Sequence, residues 1–159
     1  MTMFRRKLST GGLLTSRLYD QDTFYKAFIR DLGSCRNEVI IESPFITRRR
    51  MDTLLPIFKR LVRRGVTVII NTREPIEHDE PQLAWQAQEA IGWLHEIGAT
   101  VLFTGRHHRK LAILDRDVLW EGSLNILSQK DSCEIMRRTE SADLAKQLLN
   151  FTGLGKFLN

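Results

Sequence analysis

The chain has 159 residues, which fits one domain with a substantial buried core, and we expect that domain to span residues 1–159. Its 42% hydrophobic and 27% charged residues are typical of a globular protein. No apolar run approaches the ~20 residues of a membrane span, and no signal-peptide core follows the N-terminus. These features exclude an integral membrane protein, and we expect a cytoplasmic protein with no membrane partner.

The positive charge is concentrated in the first half of the chain. The net charge is +5, but residues 1–75 carry fifteen Lys and Arg against seven Asp and Glu, including the run Arg48-Arg49-Arg50. A basic surface favours polyanions such as nucleic acid or acidic lipid. A solvated face with no partner explains the charge equally well, so both interpretations stay open. The two cysteines, Cys35 and Cys133, form no metal-binding spacing and are predicted to be reduced.

The hydrophobic patterns alternate between helix and strand. In chain order they predict a helix over 22–32, a strand over 39–42, a helix over 52–64, a strand over 66–70, a helix over 81–97, strands over 99–103, 108–114, 118–125 and 133–137, and a helix capped by Ser141 that runs to Leu149. In the second helix Asp52 is the predicted cap, which puts Pro56 near the tolerant first turn. This order predicts an α/β fold, a mixed β-sheet flanked by helices on both faces.

Four polar residues fall on two of the predicted strands. Residues two apart on a strand face the same side, so His108 is expected beside Lys110, and Ser123 beside Asn125. Lys, Ser and Asn can donate hydrogen bonds to the non-bridging oxygens of a phosphoryl group. A histidine can attack phosphorus or transfer protons. The set therefore indicates phosphoryl chemistry.

The same residues, with Asp115 and Gly122, match the pattern H-x-K-x(4)-D-x(6)-G-S-x-N, and the chain here resembles the phospholipase D superfamily. The signature covers residues 108–125, and residues 40–47 are also similar to sequences of the family. The resemblance implies a displacement without metal or cofactor, in which one histidine attacks phosphorus and a second protonates the leaving oxygen. It makes His108 the nucleophile or acid/base.

The resemblance also assigns roles to the residues around His108. Lys110, Ser123 and Asn125 would bind phosphate, and Glu134 would orient the histidine. Asp115 and Gly122 would support the motif structurally. These roles are expectations that the resemblance implies, and the register of Glu134 is the least secure.

The sequence carries the motif once, although the chemistry needs two histidines. His78 and His95 have no lysine two residues later, so neither begins a second copy. In this the chain resembles the short, single-motif bacterial endonucleases of the superfamily, which form a homodimer with one shared site. An isologous interface would bring His108 of two copies together. A partner domain that carries the second motif is the alternative.

The basic half of the chain favours a nuclease, acting on DNA more readily than on RNA. Arg48, Arg49, Arg50 and Arg109 are the candidate substrate-binding residues. No sequence-reading motif is evident, so a specificity or helicase partner would supply any sequence choice. Two other hypotheses are a phospholipase or phosphatidyltransferase, and a non-catalytic subunit that binds nucleic acid.

Overall fold

Seven strands form one mixed sheet in the computed structural model, which describes residues 15–158. The order across the sheet is β1-β7-β6-β5-β2-β3-β4. The strands are β1 (Ser16–Asp20), β2 (Glu38–Glu42), β3 (Thr67–Thr72), β4 (Thr100–Phe103), β5 (Leu111–Leu114), β6 (Val118–Gly122) and β7 (Ile135–Glu140). The expected α/β class with a mixed sheet is confirmed.

Helices cover both faces of this sheet, as predicted. They are α1 (Phe24–Ser34), α2 (Arg48–Arg63), α3 (Pro81–Glu96) and α4 (Ala142–Thr152), with short 3-10 turns at Pro75–Glu77 and Leu154–Phe157. On one face, α1, α2 and α3 bury a core that includes Phe24, Phe28 and Trp120. On the other face, Ala145 and Leu149 of α4 pack against the alternate side chains of the central strands. Alternation along each strand thus supplies two separate cores.

The strand directions bring several chain ends to one edge of the sheet. β2, β3 and β4 are mutually parallel, whereas β5, β6, β7 and β1 join by antiparallel pairs. The edge at the carboxyl ends of the parallel strands therefore also holds the start of β5, the end of β6 and the start of β7. We call this the carboxyl edge, and it is bounded by Glu42, Thr72, Phe103, Leu111, Gly122 and Ile135.

Helix α2 differs most from its predicted bounds. It begins at Arg48 rather than at residue 52, and Thr47, in extended backbone, precedes it. Arginine is a good helix former, so the three arginines extend the helix by a turn. The predicted cap, Asp52, is therefore wrong and lies inside the helix. Pro56 sits in the helix interior, not in its first turn.

The strand predictions err mainly at the carboxyl edge. The strand predicted from residue 108 begins at Leu111, and the one predicted to residue 125 ends at Gly122. The strand predicted from residue 133 begins at Ile135 and continues to Glu140, while β1 was not predicted. His108, Lys110, Ser123 and Asn125 thus lie outside the regular strands, at the carboxyl ends of the parallel strands.

Two smaller predictions can be compared with the described residues. Cys35 and Cys133 are both free thiols, as predicted. No helix between residues 15 and 158 has the length and apolar character needed to cross a membrane. The expectation of one domain over 1–159 includes residues 1–14 and 159, which lie outside the described part.

Candidate active site

His108 and Lys110 lie in an irregular segment at the carboxyl edge, directly before β5. The prediction that they share a strand face is therefore wrong, because the strand starts at Leu111. Their proximity has another cause: Lys110 Nζ donates a hydrogen bond to the backbone oxygen of His108 at 2.7 Å. The His108 side chain is exposed, and Lys110 is half-buried. The ammonium thus remains beside the histidine without a shared strand face.

Arg73 contacts His108 directly and was missed by the sequence analysis. It follows the last residue of β3, and its Nη2 lies 2.6 Å from His108 Nε2. Its Nε also donates to the backbone oxygen of His107 at 2.8 Å. The available signal was its position, since residues just after parallel strands gather at one edge, where α/β proteins bind ligands.

Positive charge around His108 favours the neutral imidazole. The charge of Arg73 is the main cause that lowers the pKa of His108, followed by burial and by the charges of Lys110 and His107. The pKa of Lys110 is lowered as well, chiefly by burial, while Glu134 opposes the shift. An unprotonated imidazole has a lone pair available for attack on an electrophile.

Ser123 and Asn125 follow β6 at the same edge. The Ser123 hydroxyl accepts a hydrogen bond from the Ile135 backbone at 3.1 Å, and the Ser123 amide donates to the Ile135 oxygen at 3.0 Å. Asn125 Oδ1 is buried, with no hydrogen-bond partner among the described residues. The backbone oxygen of Asn125 accepts from the amides of Ser128 and Gln129, which fixes the turn. Both residues therefore stand beyond β6, not on it as predicted.

Gly122 and Asp115 occupy positions that require their residue types. A Cβ at Gly122 would lie 2.1 Å from the Ile135 oxygen, so no side chain fits where β6 meets β7. Asp115 accepts backbone hydrogen bonds at 2.9 Å each from Arg36, Asn37 and Glu38. Its φ of 51° is one that Asp tolerates better than most residues. Asp115 thereby joins the end of β5 to the start of β2.

Glu134 is not brought to His108 in the single chain. No hydrogen bond or ion pair joins the two within residues 15–158, and Glu134 Oε1 instead accepts from the Ser132 hydroxyl at 2.7 Å. Glu134 does act on Lys110, whose pKa it raises against the effect of burial. An orienting role of Glu134 toward His108 stays a prediction.

Below the site lies a buried acidic residue, Glu42, that the sequence analysis did not select. Arg109 donates to it through Nε at 2.6 Å and Nη2 at 2.8 Å, and Asn71 Nδ2 donates at 2.7 Å. His107 is buried beside them, with Nε2 3.7 Å from Glu42. Arg109, predicted to bind substrate, thus has an internal partner for two of its nitrogens.

The three consecutive arginines have different surroundings because they point away from α2 in different directions. Arg48 reaches toward Glu89 of α3 at 4.0 Å. Arg50 lies 3.5 Å from the centre of the Tyr25 ring and donates to the Gln129 oxygen at 3.0 Å. Arg49 is exposed and lines a cavity of about 320 Å³ with Gln82, Gln86, Gln129 and Lys130, among others. Of the three, Arg49 is the best placed to meet a ligand.

Together, Arg73 and Lys110 place a guanidinium and an ammonium beside the exposed imidazole of His108, and the Ser123 hydroxyl and the Asn125 amide stand at the same edge of the sheet. The donors can bind an anion, and the imidazole can attack it or exchange protons with it. In the described part of the chain, no three His, Cys, Asp or Glu residues are grouped so that they could hold a metal ion.

A family model described as "Cardiolipin synthase, PLD-like domain" matches residues 28–152 of the chain. No curated protein matches the sequence. The matched segment includes every motif residue at the carboxyl edge, together with Arg73 and Glu42.

Several solved structures share the fold. NucT from Helicobacter pylori is 19% identical, with a TM-score of 0.69 over 86% of this chain and 91% of its own. Nuc from Salmonella typhimurium, described as a phospholipase D family member, is 15% identical, with a TM-score of 0.68 over 86% and 90%. TrmBL2, described as an archaeal chromatin protein with a novel mode of DNA binding, is 14% identical, with a TM-score of 0.57 over 84% and 50%.

Proposed function

Because the chain belongs to the phospholipase D superfamily, we propose that it is a metal-independent phosphodiesterase that cleaves nucleic acid. The reaction passes through a phosphohistidine on His108, and two copies of the chain complete one site. Membership of the family supports the general class, phosphodiester chemistry. The substrate, the intermediate and the dimer are parts of the proposal.

The proposal rests above all on the position of His108. The imidazole is exposed at the carboxyl edge, and its Nε2 faces the guanidinium of Arg73 at 2.6 Å. The ammonium of Lys110 is hydrogen-bonded to the backbone oxygen of His108. A phosphate that approaches Nε2 would therefore meet the Arg73 guanidinium, and the positive charge of Lys110 also acts at this imidazole. This arrangement supports attack on an anionic phosphodiester, which an isolated surface histidine would not favour.

The reaction needs two histidines in opposite protonation states. Nε2 of the neutral His108 attacks phosphorus, so that an N–P bond forms as the P–O bond to the leaving group breaks. The leaving oxygen takes a proton from the imidazolium of the second copy's His108. That imidazole then removes a proton from water, whose oxygen attacks phosphorus and breaks the N–P bond. The two histidines titrate as a coupled pair.

The sheet face that carries α4 offers a surface for the second copy. Leu18, Ile135, Leu144 and Phe151 are exposed on this face, and Phe151 is 81% exposed. A groove of about 440 Å³ runs beside Leu18, Leu111 and Ile135 and reaches the catalytic Lys110. A second copy seated here would cover apolar surface and lie next to the site at once.

The distribution of charge supports nucleic acid as the substrate. The outer side of α2 exposes Lys59, Arg60 and Arg63, and Arg49 lies at its first turn, near the turn that holds Asn125. Such a surface attracts phosphates without regard to base sequence. A specificity or helicase partner would then direct the cleavage to particular sites. We expect DNA to be preferred to RNA.

A lipid phosphodiester is the second candidate, because the matching family model is described by a cardiolipin synthase. The exposed apolar residues on the α4 face would then meet acyl chains instead of a second copy. A non-catalytic nucleic-acid-binding subunit is a third candidate, and the fold likeness to TrmBL2 favours it. Binding alone, however, does not need the histidine.

Cleavage assays in excess EDTA test the proposal. The substrates are single-stranded DNA, double-stranded DNA, RNA and vesicles that contain cardiolipin, and the variants are His108→Ala and His95→Ala. His95 is the matched control because it is an exposed histidine on α3. We expect cleavage of DNA to persist in EDTA, to fall by at least about 1,000-fold in His108→Ala and to be unchanged in His95→Ala.

Quenching with alkaline denaturant during turnover should also trap the substrate's phosphoryl group on the chain in an acid-labile, base-stable bond. Cleavage by His108→Ala at the rate of the wild type would contradict the assignment of His108 as the nucleophile. Hydrolysis of the vesicles alone would favour the lipid candidate. Binding of DNA without cleavage of any substrate would favour the non-catalytic one.

A further inference from the structure

Arg73 contacts the nucleophilic atom of the proposed site directly. Its guanidinium spans two neighbouring residues, with Nη2 2.6 Å from His108 Nε2 and Nε donating to the His107 oxygen at 2.8 Å. The ring of Phe45 lies 5.3 Å from the Arg73 guanidinium carbon and supports it from another side. The guanidinium is thus held by three groups at the place where the imidazole must react.

This contact fixes which nitrogen of His108 carries the proton. A guanidinium only donates hydrogen bonds and stays charged at any ordinary pH. His108 Nε2 must therefore accept, so its lone pair points at Arg73 and the ring proton of the neutral form is on Nδ1. That tautomer is the one in which Nε2 can attack phosphorus.

A bound phosphodiester would occupy the same space. Phosphorus must approach the Nε2 lone pair to within about 3–3.5 Å before attack, and its non-bridging oxygens project further. The donor that now faces the lone pair would then face those oxygens, and a guanidinium matches phosphate geometry well. The hydrogen bond is transferred from the nitrogen to the anion, and the Arg73 guanidinium shifts aside to admit the phosphorus atom while it stays within reach of the phosphoryl oxygens.

We propose that Arg73 is a further catalytic residue, which presents the lone pair of His108 Nε2 in the resting site and binds the phosphoryl oxygens when substrate enters. The inference rests on the proposed phosphodiesterase function, because it assigns the phosphate its position at Nε2. It extends that function by a cation that lies outside the motif in sequence, 35 residues before His108.

The electrostatics of the site agree with this role. The charges that face His108 are Arg73, Lys110 and His107, and Arg73 is the largest cause of the lowered pKa of His108. Glu134 acts on Lys110. Removing the Arg73 charge should therefore raise the pKa of His108. Since attack needs the unprotonated form, the acidic limb of the pH profile would move to higher pH.

A purely structural role for Arg73 makes different predictions. In that case its bond to the His107 oxygen would hold the segment before β5, and any loss on substitution would come from misplacement of His108. The tautomer of the imidazole and the affinity for a small anion would then not depend on the Arg73 charge.

The test compares Arg73→Gln, Arg73→Lys and the matched control Arg106→Gln. Arg106 is an exposed arginine of the same irregular segment, and glutamine should fit its backbone conformation as well as arginine does. Nitrogen-detected NMR follows the tautomer and titration of His108, with and without inorganic phosphate. The second measurement is kcat/KM against pH for a small activated phosphodiester.

For Arg73→Gln we expect a raised pKa of His108, a mixture of tautomers and weaker binding of phosphate. We also expect kcat/KM to fall about 100-fold, with the acidic limb at higher pH. Arg73→Lys, which keeps the charge, should retain the wild-type titration and recover part of the activity. Arg106→Gln should resemble the wild type in every measurement.

Arg73→Gln with an unchanged tautomer, titration and phosphate affinity would overturn the inference, whatever its activity. If Arg73→Gln does not fold, Arg73→Lys tests the inference instead. Loss of phosphate binding in this variant, which retains the charge, would contradict the proposed binding of phosphoryl oxygens by the charge at position 73. A wild-type protein that cleaves no phosphodiester would instead refute the proposed function, and NMR with phosphate would still decide the role of Arg73.

Discussion

Individual charged side chains at the carboxyl edge are held in position by hydrogen bonds to buried partners. Burial alone would raise the pKa of Glu42, but hydrogen bonds from Arg109 and Asn71 lower it to about 2, from 4.5 in an isolated side chain. A carboxylate whose pKa falls on folding stabilises the protein above its unfolded pKa. This contribution is therefore present above pH 4.5 and lost as the pH falls toward 2.

Substitution of Arg109 should reduce stability more than it reduces substrate binding. Arg109→Gln leaves the buried charge of Glu42 without its main partner, and we expect the free energy of unfolding to fall by about 3 kcal/mol. Arg116→Gln is the matched control, since Arg116 makes a similar two-pronged pair with Glu38 at the surface. It should cost less than about 1 kcal/mol.

Urea unfolding and DNA-binding titrations of the two variants measure these effects. Equal stability of the two variants, together with weaker DNA binding by Arg109→Gln alone, would instead support the substrate-binding role first predicted for Arg109.

Much of the site is evident from the sequence because its residues are close together in the chain. His108, Lys110, Ser123 and Asn125 were selected from one stretch of 18 residues. Arg73 and Glu42 were not, because their contacts with this stretch depend on the pairing of distant strands. No local pattern marks a buried acid or an arginine at the end of a strand as part of a site. Their contacts with this stretch are visible only in the three-dimensional structure.

At the scale of elements, the close contact between the end of β6 and the start of β7 positions Ser123 and Asn125, the proposed phosphate-binding residues. Gly122 is the last residue of β6 and pairs with Met136, and Ser123 then bonds to the backbone of Ile135. The close approach of the two backbones is possible only without a Cβ at Gly122. The geometry of this junction therefore decides where Ser123 and Asn125 stand.

Gly122→Ala should separate β6 from β7 at this junction. Because the new Cβ would lie 2.1 Å from the Ile135 oxygen, we expect a loss of about 2–3 kcal/mol of stability and at least tenfold slower cleavage. Gly92→Ala is the control, since nothing lies within 4 Å of a Cβ at that position in α3. It should be neutral or stabilising by up to about 1 kcal/mol.

Denaturation curves and cleavage rates of both glycine variants check this prediction. A Gly122→Ala protein with wild-type stability and activity would show that the junction tolerates a wider separation of the strands.

The element boundaries show where sequence patterns lose their force. Apolar periodicity predicted the cores of all four helices and of the central strands. It placed the start of α2 four residues late, because an arginine run has no apolar pattern although it favours helix. It extended two strands through the motif, because alternation of polar and apolar residues does not distinguish a strand from an extended loop.

For the whole molecule, the two faces of the sheet have different characters. The face covered by α1, α2 and α3 is closed by a large core and exposes basic residues on α2. Within residues 15–158 the opposite face is covered by α4 and the 3-10 turn that follows it, and α4 exposes Leu144 and Phe151 at 44% and 81%. The single motif and this apolar face both agree with a second copy that approaches from the α4 side. Nucleic acid would then bind along the carboxyl edge.

A mixing experiment tests directly whether one site needs His108 from two copies. Wild-type chain is unfolded and refolded with an equal amount of His108→Ala, and DNA cleavage is measured in EDTA. A matched control variant carries Leu144→Glu and Phe151→Glu in addition to His108→Ala. The two glutamates should prevent this variant from pairing with the wild type. The expected inhibition follows from random pairing of subunits.

If two copies share a site, only pairs of wild-type subunits are active, and an equal mixture keeps about one quarter of the activity of the same total amount of wild type. An equal mixture of wild type and the control variant should keep about one half of that activity, because the control subunits do not pair with the wild type. An activity of about one half with His108→Ala itself would contradict the shared site, because each wild-type subunit would then act alone.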